Sequence, residues 1–174
     1  MPTAADLNAA IRDVPNFPKE GILFNDITPV LGDAELFKAS MDLLAETAQG
    51  EKIDKVVGID ARGFIFAAGV AQILGAGFVP IRKKGKLPWT THKMAYSLEY
   101  GEDCVEIHKD AIKPGEKVLL VDDLLATGGT AAAAIKLLKV LDADLIATSF
   151  LIELEALNGR ALIDSPRTEA ILTY

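Results

Sequence analysis

The chain predicts an α/β fold: a mainly parallel central sheet with helices on both faces. Three observations point there. Runs that are apolar after their first residue, such as KVVGI (55–59) and KVLLV (117–121), fit strands buried on both faces, where half-exposed strands would alternate. Each run is followed by a helical stretch and then another strand, the unit that makes parallel pairs. Glycines stand where the elements change, at Gly50, Gly75 and Gly101.

Taken in order, Leu7, Ala10, Ile11 and Val14 recur at helical spacing and predict a helix over 4–14, broken by NFPKEG. Asp33 is a candidate N-cap for a helix carrying Leu36, Phe37, Met41, Leu43 and Leu44 and ending near Gly50. KVVGI is a buried strand, followed by a helix over 63–74 that Gly75 stops. Residues 77–81 form a second strand. The polar stretch 82–93, with Gly85 and Pro88, reads as a long loop. Residues 96–100 and 105–108 predict shorter strands around Gly101, with Cys104 on an edge strand. Then come a buried strand at 117–121, an Ala- and Leu-rich helix at 130–141, and strands at 145–152 and 170–173. No repeat, low-complexity tract or linker divides the chain, so residues 1–174 are expected to form one domain.

Half of the residues are hydrophobic and a quarter charged, the composition of a globular protein. No apolar run is long enough to span a bilayer, and MPTAADLNAAIRDV has no basic segment before an apolar one, so a cytoplasmic location and no membrane partner are expected. One cysteine allows no intrachain disulfide. The net charge of −7, from 18 basic and 25 acidic residues, argues against nucleic acid as a partner, because phosphate backbones need a basic footprint. Yet Arg82, Lys83, Lys84, Lys86 and Lys93 fall within 82–98, where there is no acid. That cluster suits a small, highly charged anion or a solvated loop, and composition alone favours the solvated loop.

Residues 118–138 carry the sharpest chemistry. The apolar VLLV ends in Asp122 and Asp123, followed by LLATGGT and a helix. Gly128 and Gly129 let the backbone turn its N–H groups inward, and the helix start adds unpaired N–H groups and partial positive charge. Ala126, Thr127, Gly128, Gly129 and Thr130 thus form a site for a terminal phosphate, with two threonine hydroxyls as donors. The adjacent carboxylates suit neighbouring sugar hydroxyls. A 5-phosphoribosyl group presents both features. The segment lacks the lysine of a Walker A loop and the Rossmann glycine fingerprint. The plain alternative is that the aspartates cap a turn and Thr130 caps a helix.

This strand, acidic pair and TGGT loop resemble the phosphoribosyl pyrophosphate signature of the type I phosphoribosyltransferases, and VDDLLATGGT is similar to the adenine phosphoribosyltransferases in particular. FPKEGILFNDITPVL, GIDARGFIFAAGVA, IRKKGKLP, YSLEYG, EIHKDAI and FLIEL agree, so the resemblance covers nearly the whole chain. It implies the type I fold with an N-terminal hood and a mobile lid around KLPWTTHKMA, and synthesis of AMP and pyrophosphate from adenine and phosphoribosyl pyrophosphate in purine salvage. It implies that Asp122 and Asp123 hold the ribose and that Arg62, Arg82, Lys83 and Lys86 bind pyrophosphate, the basic lid residues reaching across a homodimer into the neighbouring site. Leu23 and Asn25 would hold adenine, and Glu99 would handle a proton on the base. Tyr100 would stack, donate to phosphate or be structural. Mg2+ would be held mainly by the substrate, and a cis peptide bond is expected between Asp60 and Ala61. Two departures stand out: Trp89, where the family often has glycine, and Asn25, where it is usually basic. Phe24 reads as core. His92 and His108 have the spacing of no common metal set. Other purines, or a non-catalytic sensor of the same sugar donor, are the rival readings; an acidic chain with no extra domain disfavours the sensor.

Overall fold

The structure is a computed structural model that describes residues 1–98 and 101–174. Thr3 opens helix α1 (Ala4–Ala10) with a capping box: its hydroxyl accepts from the Asp6 N–H, and the Asp6 carboxylate accepts from the Thr3 N–H at 2.7 Å. The helix stops earlier than its apolar spacing predicts. Val14 lies in strand β1 (Arg12–Pro15), which pairs antiparallel with β2 (Leu23–Asp26). Pro15 helps keep Val14 extended, because a proline disfavours helical backbone angles at the residue before it. A short helix α2 (Thr28–Gly32), opened by Pro29, was not foreseen. Helix α3 (Ala34–Glu46) begins where expected, with the Asp33 carboxylate accepting from the N–H groups of Glu35 and Leu36 at 3.0 Å.

Then follow β3 (Lys55–Ile59), α4 (Gly63–Leu74), β4 (Gly77–Lys83), β5 (Thr91–Ser97), β6 (Glu102–His108), β7 (Lys117–Leu125), α5 (Gly129–Val140), β8 (Asp144–Glu153), two 3₁₀ turns (Glu155–Leu157 and Gly159–Leu162) and β9 (Thr168–Thr173). Gly75 ends α4 in the left-handed region, at φ 63°. The main sheet has the order β5-β6-β4-β3-β7-β8-β9, parallel from β4 through β9 and antiparallel at β4–β6 and β5–β6.

Alternation explains the apolar runs. Val56, Leu119 and Val121 face a core shared with Leu7, Leu44, Phe66 and Val70 of α1, α3 and α4. Val57, Leu120 and Ile59 face the opposite core, shared with Ala134, Leu137 and Leu138 of α5. Both faces are covered, as the class requires.

The expected loop at 82–93 is shorter. Its first two residues extend β4, and 91–93 begin β5, an edge strand whose Met94 and Tyr96 pack on the α5 side. Polar and basic residues on that strand mask the sheet edge and hide its alternation. Cys104 is not on an edge: β6 lies between β5 and β4. Among the described residues no helix is long and apolar enough to cross a membrane.

Candidate active site

The site forms where β7 outruns its neighbour. The β3–β7 ladder ends at Gly58↔Val121, but β7 stays paired with β8 as far as Leu125↔Glu153. Asp122 and Asp123 therefore lie within the strand and not after it, in the stretch that has lost its β3 partner. One side of the sheet is open there, and the turn from β3 into α4 fills its rim. The Asp60–Ala61 bond in that turn is cis.

Asp122 packs so closely on the start of α4 that a Cβ on Gly63 would come 2.5 Å from Asp122 Oδ1. The Asp123 N–H donates to the same oxygen at 2.9 Å. Burial, and then the adjacent charge of Asp123, push the Asp122 carboxyl well above the ordinary range, against the lowering effect of that N–H. Asp123 is 8% exposed and pairs with Arg62, Nε to Oδ2 at 2.7 Å. Beyond Leu125 the chain turns through Ala126 and Thr127 to Gly128, at φ 85°, which caps α5; Gly129 and Thr130 form its first turn. This loop, the two aspartates, Asp60, Arg62 and Lys83 line one cleft of about 280 Å³.

The basic residues reach that cleft unequally. Lys83 lines it, and its Nζ donates to Tyr96 Oη at 2.5 Å and to Asp103. Arg82 and Lys86 both lie 3.4 Å from the nearly buried Asp60 carboxylate. Lys93 pairs with buried Glu106 at 3.2 Å. A segment without acids in sequence thus meets Asp60, Asp103 and Glu106 in space, contributed by the β3–α4 turn and by β6.

A second cavity of about 100 Å³ adjoins the first and shares Arg62, Asp123 and Leu124 with it. Ile22, Leu23, Phe24 and Asn25 line its other side. The Asn25 side chain is tied to the neighbouring strand, with Nδ2 donating to Asp13 Oδ1 at 3.1 Å across β1–β2. Phe24 is half-buried at this cavity and not in the core; the Arg62 guanidinium stands 5.9 Å from its ring centroid. The turn from Asp60 to Gly63 was legible as a diphosphate-facing turn after a strand, whereas Phe24, Tyr96 and Asp103 carried no site signal in the sequence. Glu99 and Tyr100 lie outside the described residues. Among the described residues, no three His, Cys, Asp or Glu side chains are grouped to hold a metal.

These features define a class: a mainly parallel α/β protein whose cleft, beyond the carboxyl ends of its strands, joins a glycine loop, a helix start and an acidic pair, beside a small and largely apolar cavity. Residues 31–166 match the phosphoribosyl transferase domain family. The adenine phosphoribosyltransferase of Rhodopseudomonas palustris (strain BisB18) is 57% identical over 94% of this chain and 82% of its own. That of Anaeromyxobacter dehalogenans (strain 2CP-1) is 53% identical over 97% and 98%. Among solved structures, adenine phosphoribosyltransferase from Thermoanaerobacter pseudethanolicus superposes with a TM-score of 0.94 at 47% identity, over 99% of this chain and all of that one. The Saccharomyces cerevisiae enzyme, solved with an imino-altritol bisphosphate and adenine, gives 0.92 at 44% identity over 97% and 98%. The chain belongs to the adenine phosphoribosyltransferase family.

Proposed function

We propose that the protein joins adenine to the phosphoribosyl group of phosphoribosyl pyrophosphate, releasing AMP and pyrophosphate, as a purine-salvage pentosyltransferase. One observation carries this reading: the cleft lined by 126–130 and the acidic pair shares Arg62, Asp123 and Leu124 with the apolar cavity beside Leu23, an arrangement that suits phosphate, sugar and base in that order. The N–H groups and hydroxyls of 126–130 anchor the 5-phosphate, and that remote binding energy aligns the reacting carbon. Asp122 and Asp123 hold the ribose hydroxyls and favour positive charge developing on the ring. Adenine lies between Leu23, Asn25 and Arg62, and Glu99 supplies or removes its proton. Arg62, Arg82, Lys83 and Lys86 offset the charge of the departing pyrophosphate.

Of the three carboxylates of the cleft, Asp123 already holds Arg62 and Asp60 lies against Arg82 and Lys86, a donor set that suits a cation carried mainly by the substrate's own oxygens. Mg2+ bound that way would neutralise the leaving group. We further propose a single catalytic domain over 1–174, a cytoplasmic location and a homodimer in which the basic lid residues serve the neighbouring cleft. Exposed Ile65, Ile73 and Phe78, on α4 and the adjoining β4, support an apolar contact surface. Within one chain, Lys83 also lines its own cleft.

Incubation with phosphoribosyl pyrophosphate, Mg2+ and each purine separately, followed by chromatography, tests the reading. AMP from adenine is expected. Nucleotide from hypoxanthine or guanine alone would reassign the base, and no nucleotide from any purine would overturn the activity.

A further inference from the structure

The phosphate loop does not hold its shape by itself. Its inner side rests on the second 3₁₀ turn, Gly159–Leu162, which lies far from it in sequence. A Cβ on Gly159 would fall 2.1 Å from the Ala126 carbonyl oxygen, 2.9 Å from the Gly128 nitrogen and 2.9 Å from the Thr127 carbonyl carbon. Conversely, a Cβ on Gly128 would fall 2.3 Å from the Gly159 carbonyl oxygen. All of these neighbours are backbone, so no flexible side chain can yield. Gly159 is buried, and it is absent from the glycines with positive φ. What the position demands is space, not backbone freedom.

The turn that carries Gly159 is pinned on its other side. Arg160 Nε donates to Glu153 Oε1 at 3.0 Å, its NH2 group donates to Glu153 Oε2, and its NH1 group donates to the Thr168 carbonyl at 2.6 Å. Glu153, 5% exposed, is the residue of β8 that pairs with Leu125, the last residue of β7 before the loop. Strand end, ion pair, turn and loop form one closed circuit of contacts.

We propose that Gly159 is a positioning residue for phosphate binding, held in place by the Arg160–Glu153 pair, and that it fixes the spacing of the Ala126–Gly128 backbone on which the loop's N–H donors depend. This rests on reading 126–130 as the phosphate site. Hydrogen bonds lose strength steeply as distance and angle depart from their optimum, so the loop displacement of roughly 1 Å that such a Cβ would force is felt mainly by a ligand that carries phosphate.

The test is binding of AMP and of adenine to the full-length protein and to Gly159→Ala, by calorimetry, with thermal melting alongside. Leu162→Ala, on the same turn but exposed, is the control. Gly159→Ala should weaken AMP at least tenfold and leave adenine within twofold, with KM for phosphoribosyl pyrophosphate rising more than kcat falls. Leu162→Ala should change neither ligand. A folded Gly159→Ala that binds AMP as tightly as the parent, or loses AMP and adenine equally, overturns the proposal. If Gly159→Ala does not fold, Arg160→Lys decides: it breaks the two-pronged pair, so AMP should weaken several-fold and adenine should not, and unchanged AMP binding overturns the proposal. A parent protein that binds adenine but not AMP would instead refute the phosphate reading of the loop.

Discussion

Moving a carboxylate out of water favours its protonated form, and Asp122 meets that penalty with a second carboxylate beside it. Its folded pKa lies above the value of about 3.9 expected in the unfolded chain. As pH rises past that lower value the unfolded chain releases its proton first, so stability falls until the folded carboxyl also ionises. Asp122→Asn removes the charge and keeps an oxygen for the Asp123 N–H. It should therefore raise the melting temperature at pH 7, with a gain that fades below about pH 4 as both states become protonated. Donor kcat/KM should fall tenfold or more, because an amide holds ribose hydroxyls less well. Calorimetry at the two pH values and steady-state rates check this; a variant no more stable than the parent at pH 7 would show that burial does not penalise Asp122. The same reasoning places Lys83: Asp103 and Tyr96 hold its ammonium at the cleft wall, and its pKa is raised by those partners although burial opposes them.

Among the elements, the start of α4 depends most tightly on one residue. Alanine is favoured over glycine inside a helix by about 1 kcal/mol, which alone would make Gly63→Ala stabilising. Contact is the stronger effect, since the added Cβ would lie 2.5 Å from Asp122 Oδ1. The variant should lose at least tenfold in kcat/KM for the donor and show little change in KM for adenine; parental kinetics would mean that the carboxylate moves aside freely. Apolar runs and end signals made β3, α4 and α5 legible in the sequence to within a residue, because nothing competes with burial in those segments. Polar edge strand β5 and the reach of β7 through Leu125 were hidden, since the first is decided by its neighbours in the sheet and the second by pairing with β8 alone. In the site, residues 122–130 and Arg62 could be read because they are contiguous or flank a strand end. Asp60 as the partner of Arg82 and Lys86, and Asp103 as that of Lys83, could not, because those contacts join distant parts of the chain.

At the scale of the whole molecule, the sheet divides two apolar cores, and the cleft stands where both end. Its walls come from β3, β4, β7 and the α5 start, while β2 closes the adjoining apolar cavity. A ligand that bridges these parts should stabilise them together. AMP at one hundred times its Kd adds about 2.7 kcal/mol, and for a chain of this size raises the melting temperature by roughly 5–10 °C. A thermal-shift titration checks this, and a melting point independent of AMP concentration would separate the cleft from global folding. The Arg62–Asp123 pair adds a condition on what can enter. A lone anion that draws Arg62 away leaves a carboxylate 8% exposed without its counter-charge. A neutral sugar that engages Asp123 leaves the guanidinium unanswered. The pair works as a lock with two keys, and it opens at least cost to a molecule that brings hydroxyls and negative charge a few ångströms apart.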